Sequence, residues 1–172
     1  METAVDWSRR SFLRGRAATR LPMPLRPPWA LEESAFLAAC TRCDACVAAC
    51  ATRIVVRGAG GFPEVDFTRG ECTFCNACAD NCRPQALVRT GERPWRLAPA
   101  IAPTCLAAAN VVCRSCGDAC ETRAIRFRPR LGGAALPEVD ASSCTGCGAC
   151  VRACPSQAVT MQKEIQPMEN LR

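Results

Sequence analysis

The sequence contains no histidine and no tyrosine. Without histidine, Ser-His-Asp and Cys-His nucleophiles are excluded, as are His-ligated zinc, Rieske centres and His-ligated haem. Large apolar side chains are also scarce. The apolar fraction is 49%, but 29 Ala and 16 Cys inflate it, and Leu, Ile, Val and Phe together make only 32 of 172 residues. That is just under the level at which a packed core becomes doubtful, so something bound to the cysteines must complete the core. No apolar run approaches the ~20 residues of a membrane span. The nine Phe and Trp are not interleaved with the Arg, which speaks against stacking readout of nucleic acid. No nucleophile–base pair, open-site ligand set or paired-carboxylate motif is present, so the chain is not expected to be an enzyme.

What is abundant is cysteine. Disulfides, zinc and iron–sulfur clusters compete for it. Disulfides need an oxidising compartment. Ser8-Arg9-Arg10-Ser11-Phe12-Leu13-Arg14 resembles a twin-arginine export signal, but Gly15 to Pro28 holds Arg16, Arg20, Arg26 and four Pro. No apolar h-region forms there and no A-x-A site follows, so a cytoplasmic protein with metal-binding cysteines is expected. Spacing then separates the metals. Three runs are regular: Cys40-x2-Cys43-x2-Cys46-x3-Cys50, Cys72-x2-Cys75-x2-Cys78-x3-Cys82 and Cys144-x2-Cys147-x2-Cys150-x3-Cys154. The third in chain order is stretched: Cys105-x7-Cys113-x2-Cys116-x3-Cys120. Structural zinc takes two separated C-x2-C pairs, because a tetrahedral ion needs four sulfurs. Three Cys in seven residues instead wrap one cubane, and the fourth reaches a second cluster, as in bacterial two-cluster ferredoxins. Four such runs point to four [4Fe–4S] clusters.

The chain also repeats itself. Cys113, Cys116 and Cys120 lie 70 residues after Cys43, Cys46 and Cys50, and the fourth run lies 72 after the second. Pro63-Glu64-Val65-Asp66 recurs as Pro137-Glu138-Val139-Asp140. Each copy reads as a hairpin after its first run: Ile54–Val56 with Phe62–Phe67, and Ala124–Arg128 with Leu136–Val139. Ala-rich Cys46–Cys50 and Cys150–Cys154 suit single helical turns, and Ala86–Val88 and Ala158–Met161 suit closing strands. The expected fold is α+β: two tandem two-cluster ferredoxin units behind a basic N-terminal arm. The boundaries are 1–33 for the arm, 34–95 and 96–163 for the units, and 164–172 for a tail. Crossed ligation follows. Cys40, Cys43, Cys46 and Cys82 hold one cluster, and Cys72, Cys75, Cys78 and Cys50 its neighbour. In copy two the sets are Cys105, Cys113, Cys116 and Cys154, then Cys144, Cys147, Cys150 and Cys120. Cys105 is the weakest member, because the repeat places the usual cysteine at Asn110.

The formal charge is +6. Four oxidised cluster sites at about −2 each would turn this to about −2. Trp7 to Leu31 holds six Arg and no acid, so a basic arm precedes a body that the clusters make acidic. Pro27-Pro28-Trp29 is expected to open a helix through Ala39 with Glu32 and Glu33 in its first turn. The arm is expected to meet a partner through Arg9, Arg10 and Arg26, with Trp29 as apolar anchor.

Ser8-Arg9-Arg10, then Arg26-Pro27-Pro28-Trp29-Ala30, then four cysteine runs with a stretched third: this order resembles the NapF family, ferredoxin-type accessory proteins of the periplasmic nitrate reductase system. The resemblance covers nearly the whole chain. It implies a cytoplasmic protein with four [4Fe–4S] clusters. Its partner would be the cytoplasmic precursor of the nitrate reductase catalytic subunit, aided in maturation or cluster loading before export. Two other readings remain at this point. One is a wire subunit of a larger oxidoreductase; the other is a zinc-bearing nucleic-acid module.

Overall fold

The computed structural model describes residues 24–91 and 93–163. Short helices and two-stranded sheets alternate along it, an α+β arrangement. Helix α1 (Glu33–Ala39) precedes the first cysteine run. The single-turn helices α2 (Ala45–Ala49), α3 (Ala77–Asp80), α4 (Ser115–Asp118) and α5 (Ala149–Ala153) each follow the second cysteine of a run. The strands are β1 (Val55–Arg57), β2 (Pro63–Val65), β3 (Leu97–Ile101), β4 (Ile125–Arg130), β5 (Gly133–Val139) and β6 (Val159–Lys163). None of these helices is long enough to be stable alone, so tertiary packing and ligation must hold them.

Both expected hairpins form. β1 and β2 pair antiparallel with Val55 opposite Val65, and β4 and β5 with Ile125 opposite Val139. The second ladder shifts register between Arg128 and Arg130, around Pro129, which has no N–H to give. β6 pairs antiparallel with β3, from Leu97 opposite Lys163 to Ile101 opposite Val159. The sequence reading included a strand at 158–161 but not its partner β3.

The start of the first half differs from expectation. The helix begins at Glu33, not at Pro27. Trp29 has φ 67°, which no helix accommodates, and its backbone bonds elsewhere. Its N–H donates to the Pro94 carbonyl at 3.0 Å, and its carbonyl accepts from Val88 N–H at 2.8 Å. Leu31 N–H donates to Ala86, and Ala30 bridges Leu87. Val65 N–H donates to the Leu25 carbonyl at 2.7 Å. The segment from Leu25 to Leu31 is therefore built into the first half, and the expected arm boundary at residue 33 is too late. Non-local backbone pairing overrides the local Pro-Pro signal.

Eighteen apolar residues are buried among those described, and ten of them are Ala or Cys. The larger ones gather in three small clusters: around Phe36 and Leu87; around Ile54, Val55, Phe67 and Leu97; and around Ile125 and Val159. Each includes cysteines among its buried or flanking members, so the apolar packing is organised around thiols.

Candidate metal centre

The same backbone device closes all four cysteine runs. Three residues after the last cysteine, Arg53, Gln85, Arg123 and Gln157 have φ 58°, 57°, 53° and 51°. Their amides donate back to the carbonyls of Cys50, Cys82, Cys120 and Cys154 at 3.0, 3.1, 3.0 and 3.2 Å. The left-handed residue turns the chain so that following N–H groups face the sulfur; Ala158 N–H lies 3.3 Å from Cys154 Sγ. Hydroxyls add to this. Thr52, Thr122 and Ser156 sit 3.6 Å from the sulfurs of Cys50, Cys120 and Cys154. In the second run Pro84 occupies that place. Burial pushes the Cys50, Cys120 and Cys154 thiols up, but these backbone and hydroxyl donors outweigh it and hold them below the usual thiol value. A Cys-x-Thr/Ser pattern in the sequence marks these donors.

Left-handed residues also shape the regular runs from within. Arg42 and Asp44, Phe74 and Asn76, and Gly146 and Gly148 all have positive φ. Asp, Asn and Gly tolerate this conformation best. The stretched run does without these turns. Its loop folds back through Ala109 N–H to Cys105 and Val111 N–H to Leu106, with Ala107 fully buried. Asn110, at φ 69°, then accepts from Arg130 Nη2 at 2.8 Å and from Ala134 N–H at 3.0 Å. The position where the repeat would place a cysteine thus anchors the loop to the β4–β5 hairpin.

The third cysteine of each run is enclosed, and so is Cys72, which burial also pushes up to about 11. Burial pushes Cys46, Cys78 and Cys116 up to about 11 and Cys150 up to about 12. Nearby thiols add to the effect, and they reveal the neighbours: Cys82 and Cys40 for Cys46, Cys72 and Cys50 for Cys78. Cys105, Cys113 and Cys154 surround Cys116, and Cys147, Cys144 and Cys120 surround Cys150. The hollows agree. Cys40, Cys43, Cys46 and Cys82 line one; Cys105, Cys113, Cys116 and Cys154 line another. Cys120, Cys144, Cys147 and Cys150 line a third, which Cys72 also borders. The structure therefore brings all sixteen cysteines into four neighbourhoods, with Cys105 inside one.

Among the described residues, no three Cys, Asp or Glu converge as they would around one bare ion. Quartets spread around a hollow suit a polynuclear cluster. One orphan points the same way. Trp95 Nε1 is buried without a hydrogen-bond partner, against Gly146 in the loop between Cys144 and Cys147. A buried N–H of this kind wants an acceptor. Thiolate or sulfide at the fourth run would be one.

Two residues expected to meet a partner, Arg26 and Trp29, make contacts within the chain. Arg26 donates from Nη2 to Glu33 Oε1 at 2.7 Å, from Nε to Glu33 Oε2 at 3.1 Å and from Nη1 to the Pro63 carbonyl at 3.2 Å. Its guanidinium lies 5.0 and 5.6 Å from the Phe36 and Phe62 ring centres. The Arg26 side chain is 12% exposed. Trp29 Nε1 donates to Asn76 Oδ1 at 2.8 Å, fastening the second cysteine run. Arg9 and Arg10 lie outside the described residues.

Comparison with known proteins decides the family. The chain is 45% identical to the ferredoxin-type protein NapF of Haemophilus influenzae over 168 residues, covering 92% of this chain and 96% of that one. It is 46% identical to ferredoxin-type protein NapF of Escherichia coli K12 over 158 residues, with the same coverage. The chain belongs to the NapF family of ferredoxin-type proteins. It is also 33% identical to the methylamine utilization ferredoxin-type protein MauM of Methylobacillus flagellatus, covering 84% of this chain and 69% of that one. A 4Fe-4S dicluster domain matches residues 111–158 and 143–170, and a 4Fe-4S binding domain matches residues 37–53. No solved structure matches the chain. Like other NapF-type proteins, it is a ferredoxin-type iron–sulfur protein. No helix among the described residues is long and apolar enough to cross a membrane.

Proposed function

We propose that this chain carries four [4Fe–4S] clusters, two in each half, held by the crossed quartets. The proposed role is cytoplasmic: an accessory to maturation or cluster loading of the periplasmic nitrate reductase catalytic subunit before its export. The observation that supports the cofactor count is the assembly of sixteen cysteines into four neighbourhoods, each combining three cysteines of one run with the last of its neighbour. The partner reading rests on membership in the NapF family.

When bound, the clusters supply one-electron redox chemistry. The chain's own work is to hold and screen them. Three of the four terminal turns aim N–H groups at the sulfurs of Cys50, Cys120 and Cys154. Thr52, Thr122 and Ser156 donate to those sulfurs. Phe36, Leu87, Ile125 and Val159 exclude water from the inner thiols. The proposed role is that of carrier or helper.

Anaerobically isolated protein is expected to hold about sixteen iron and sixteen acid-labile sulfide per chain, from four cubanes with four cysteines each. Stoichiometric zinc without sulfide overturns the cofactor reading. Capture of the unexported nitrate reductase precursor from cytoplasm supports the role. Stable isolation within a membrane or flavin-bearing oxidoreductase would favour a wire subunit instead, a reading to which the contiguity of the cysteine sets across the halves lends weight.

A further inference from the structure

We infer that the two halves are locked in one arrangement that makes the second and fourth cysteine sets nearest neighbours across the junction. The four sets then form a single row in the order first, second, fourth, third. The inference rests on the reading that these sets hold clusters, and it adds how the two copies are joined.

The junction is built from named contacts. Cys72 N–H donates to the Cys147 carbonyl at 2.8 Å, a backbone bond directly between the second and fourth runs. Cys72 also borders the hollow of Cys120, Cys144, Cys147 and Cys150, together with Phe74. Phe67, 4% exposed, leaves the first hairpin and sits on Gly148 of the fourth run. A Cβ at Gly148 would lie 2.0 Å from the Phe67 ring, and Gly148 has φ 82°. Glycine is thus required there twice, once for the backbone and once for the approach. Trp95 packs edge-on to Phe67 and Phe74, with ring centres 5.7 and 6.3 Å away, and fills the space over Gly146. Val151 and Met161 of the second half complete the cluster of Ile54, Val55 and Phe67. Arg93 Nη2 donates to the Cys144 carbonyl at 2.9 Å.

Within each half the runs also touch. Helix α2 of the first run packs against α3 of the second, and α4 of the third against α5 of the fourth. The junction supplies the missing middle link. Phe67, Trp95 and Gly148 act on the sites by positioning, since their aromatic and backbone contacts fix how the two runs face each other.

Two measurements on the full-length, cluster-loaded chain test this. The first is amide hydrogen exchange. The Cys72 amide should exchange at least tenfold more slowly than exposed loop amides. Phe67→Ala should accelerate it at least tenfold while the β4–β5 amides stay unchanged. Free-loop exchange of Cys72 in the unsubstituted protein overturns the inference. The second is electron paramagnetic resonance of the reduced protein. Variants in which Cys40, Cys43, Cys105 and Cys113 become Ser keep the second and fourth sets and should show spin–spin interaction. Variants lacking Cys72, Cys75, Cys144 and Cys147 keep the first and third and should show isolated signals. The reverse pattern overturns the proposed row. Protein lacking iron and sulfide altogether would instead defeat the cluster reading, so the two failures are distinct. Should the multiple variants not fold, the exchange rate of Cys72 still decides.

Discussion

The two halves reach the same cysteine arrangement with different supports. In the first half, Arg42 and Asp44 wind the cysteine run through left-handed turns, and Arg26 clamps Glu33 and the Pro63 carbonyl beneath it. The closing edge is a single bridge between Ala30 and Leu87. In the second half the opening run is stretched, and Asn110 ties its loop to the hairpin. There the closing edge is the full β3–β6 pair. Only the terminal turns, at Arg53, Gln85, Arg123 and Gln157, are identical throughout. The constant element is thus the left-handed turn three residues after the last cysteine of each run. The route to the first cysteine is free to vary, as the 105–113 loop shows.

The largest effect expected breaks both halves at once. Ten of the eighteen buried apolar residues are Ala or Cys, and no half has a large core of its own. Ligation free energy is then folding free energy. Chelating or oxidising away the clusters should abolish cooperative unfolding and the near-ultraviolet circular dichroism of Trp29 and Trp95. An apo-protein that keeps both would show that the small aromatic clusters suffice, and the dependence on ligation would be wrong.

The next prediction sets the stretched run against a regular one. Cys105→Ser should cost about four of sixteen iron atoms, because Cys105 lines the same hollow as Cys113, Cys116 and Cys154. Cys50→Ser should cost the same amount, but from the set of Cys72, Cys75 and Cys78. Isotope-labelled ligand spectroscopy tells which set is lost. Unchanged iron in Cys105→Ser would remove it from the ligand set and make the second half different in chemistry as well as in support.

Much of this was legible in the sequence, and the reason is local. Cysteine spacing, both hairpins and the helical turns are each encoded within a short stretch of chain, and the repeat shows by comparing such stretches. Cys105 was legible as a candidate, but only the loop's fold brings it to Cys113, Cys116 and Cys154. Trp29 and Arg26 read as arm residues because they follow a run of Arg and Pro. Their partners, Asn76, Val88, Pro94 and Pro63, lie 37 to 65 residues on, as the bonds to Pro63 and Pro94 show. No local pattern carries that information. The strand β3 and the seat of Phe67 on Gly148 were hidden for the same reason.

Smaller effects should separate the ion pairs of the two halves. Arg26 is mostly buried, with charged hydrogen bonds to Glu33, so Arg26→Ala should destabilise by about 2 kcal/mol. The hairpin pair Arg128–Glu138, at 2.8 Å, is 73% and 55% exposed, and Arg128→Ala should cost less than about 1 kcal/mol. Denaturant unfolding of the loaded protein measures both. Equal costs would mean that the Arg26 clamp is no more than a surface pair, and that the first half needs no special support at its base.

The smallest effect on the fold is expected from the residues before the described segment. Removing residues 1–28 would be a poor experiment, because Leu25 accepts from Val65 N–H and Pro27 is fully buried. Removing residues 1–23 spares both. It takes away Arg9, Arg10, Arg14, Arg16 and Arg20 and leaves Arg26 and Trp29 in place. Iron content and unfolding midpoint should stay unchanged. Capture of the nitrate reductase precursor should fall, and the fall should shrink as salt rises, because exposed charges separated by more than a Debye length of about 8 Å are screened at physiological ionic strength. Full capture by the truncated chain would move the contact onto the cysteine-bearing halves. The two halves would then have to differ in partner binding as they differ in support, and substitutions in the 106–112 loop, which has no counterpart in the first half, would be the place to find it.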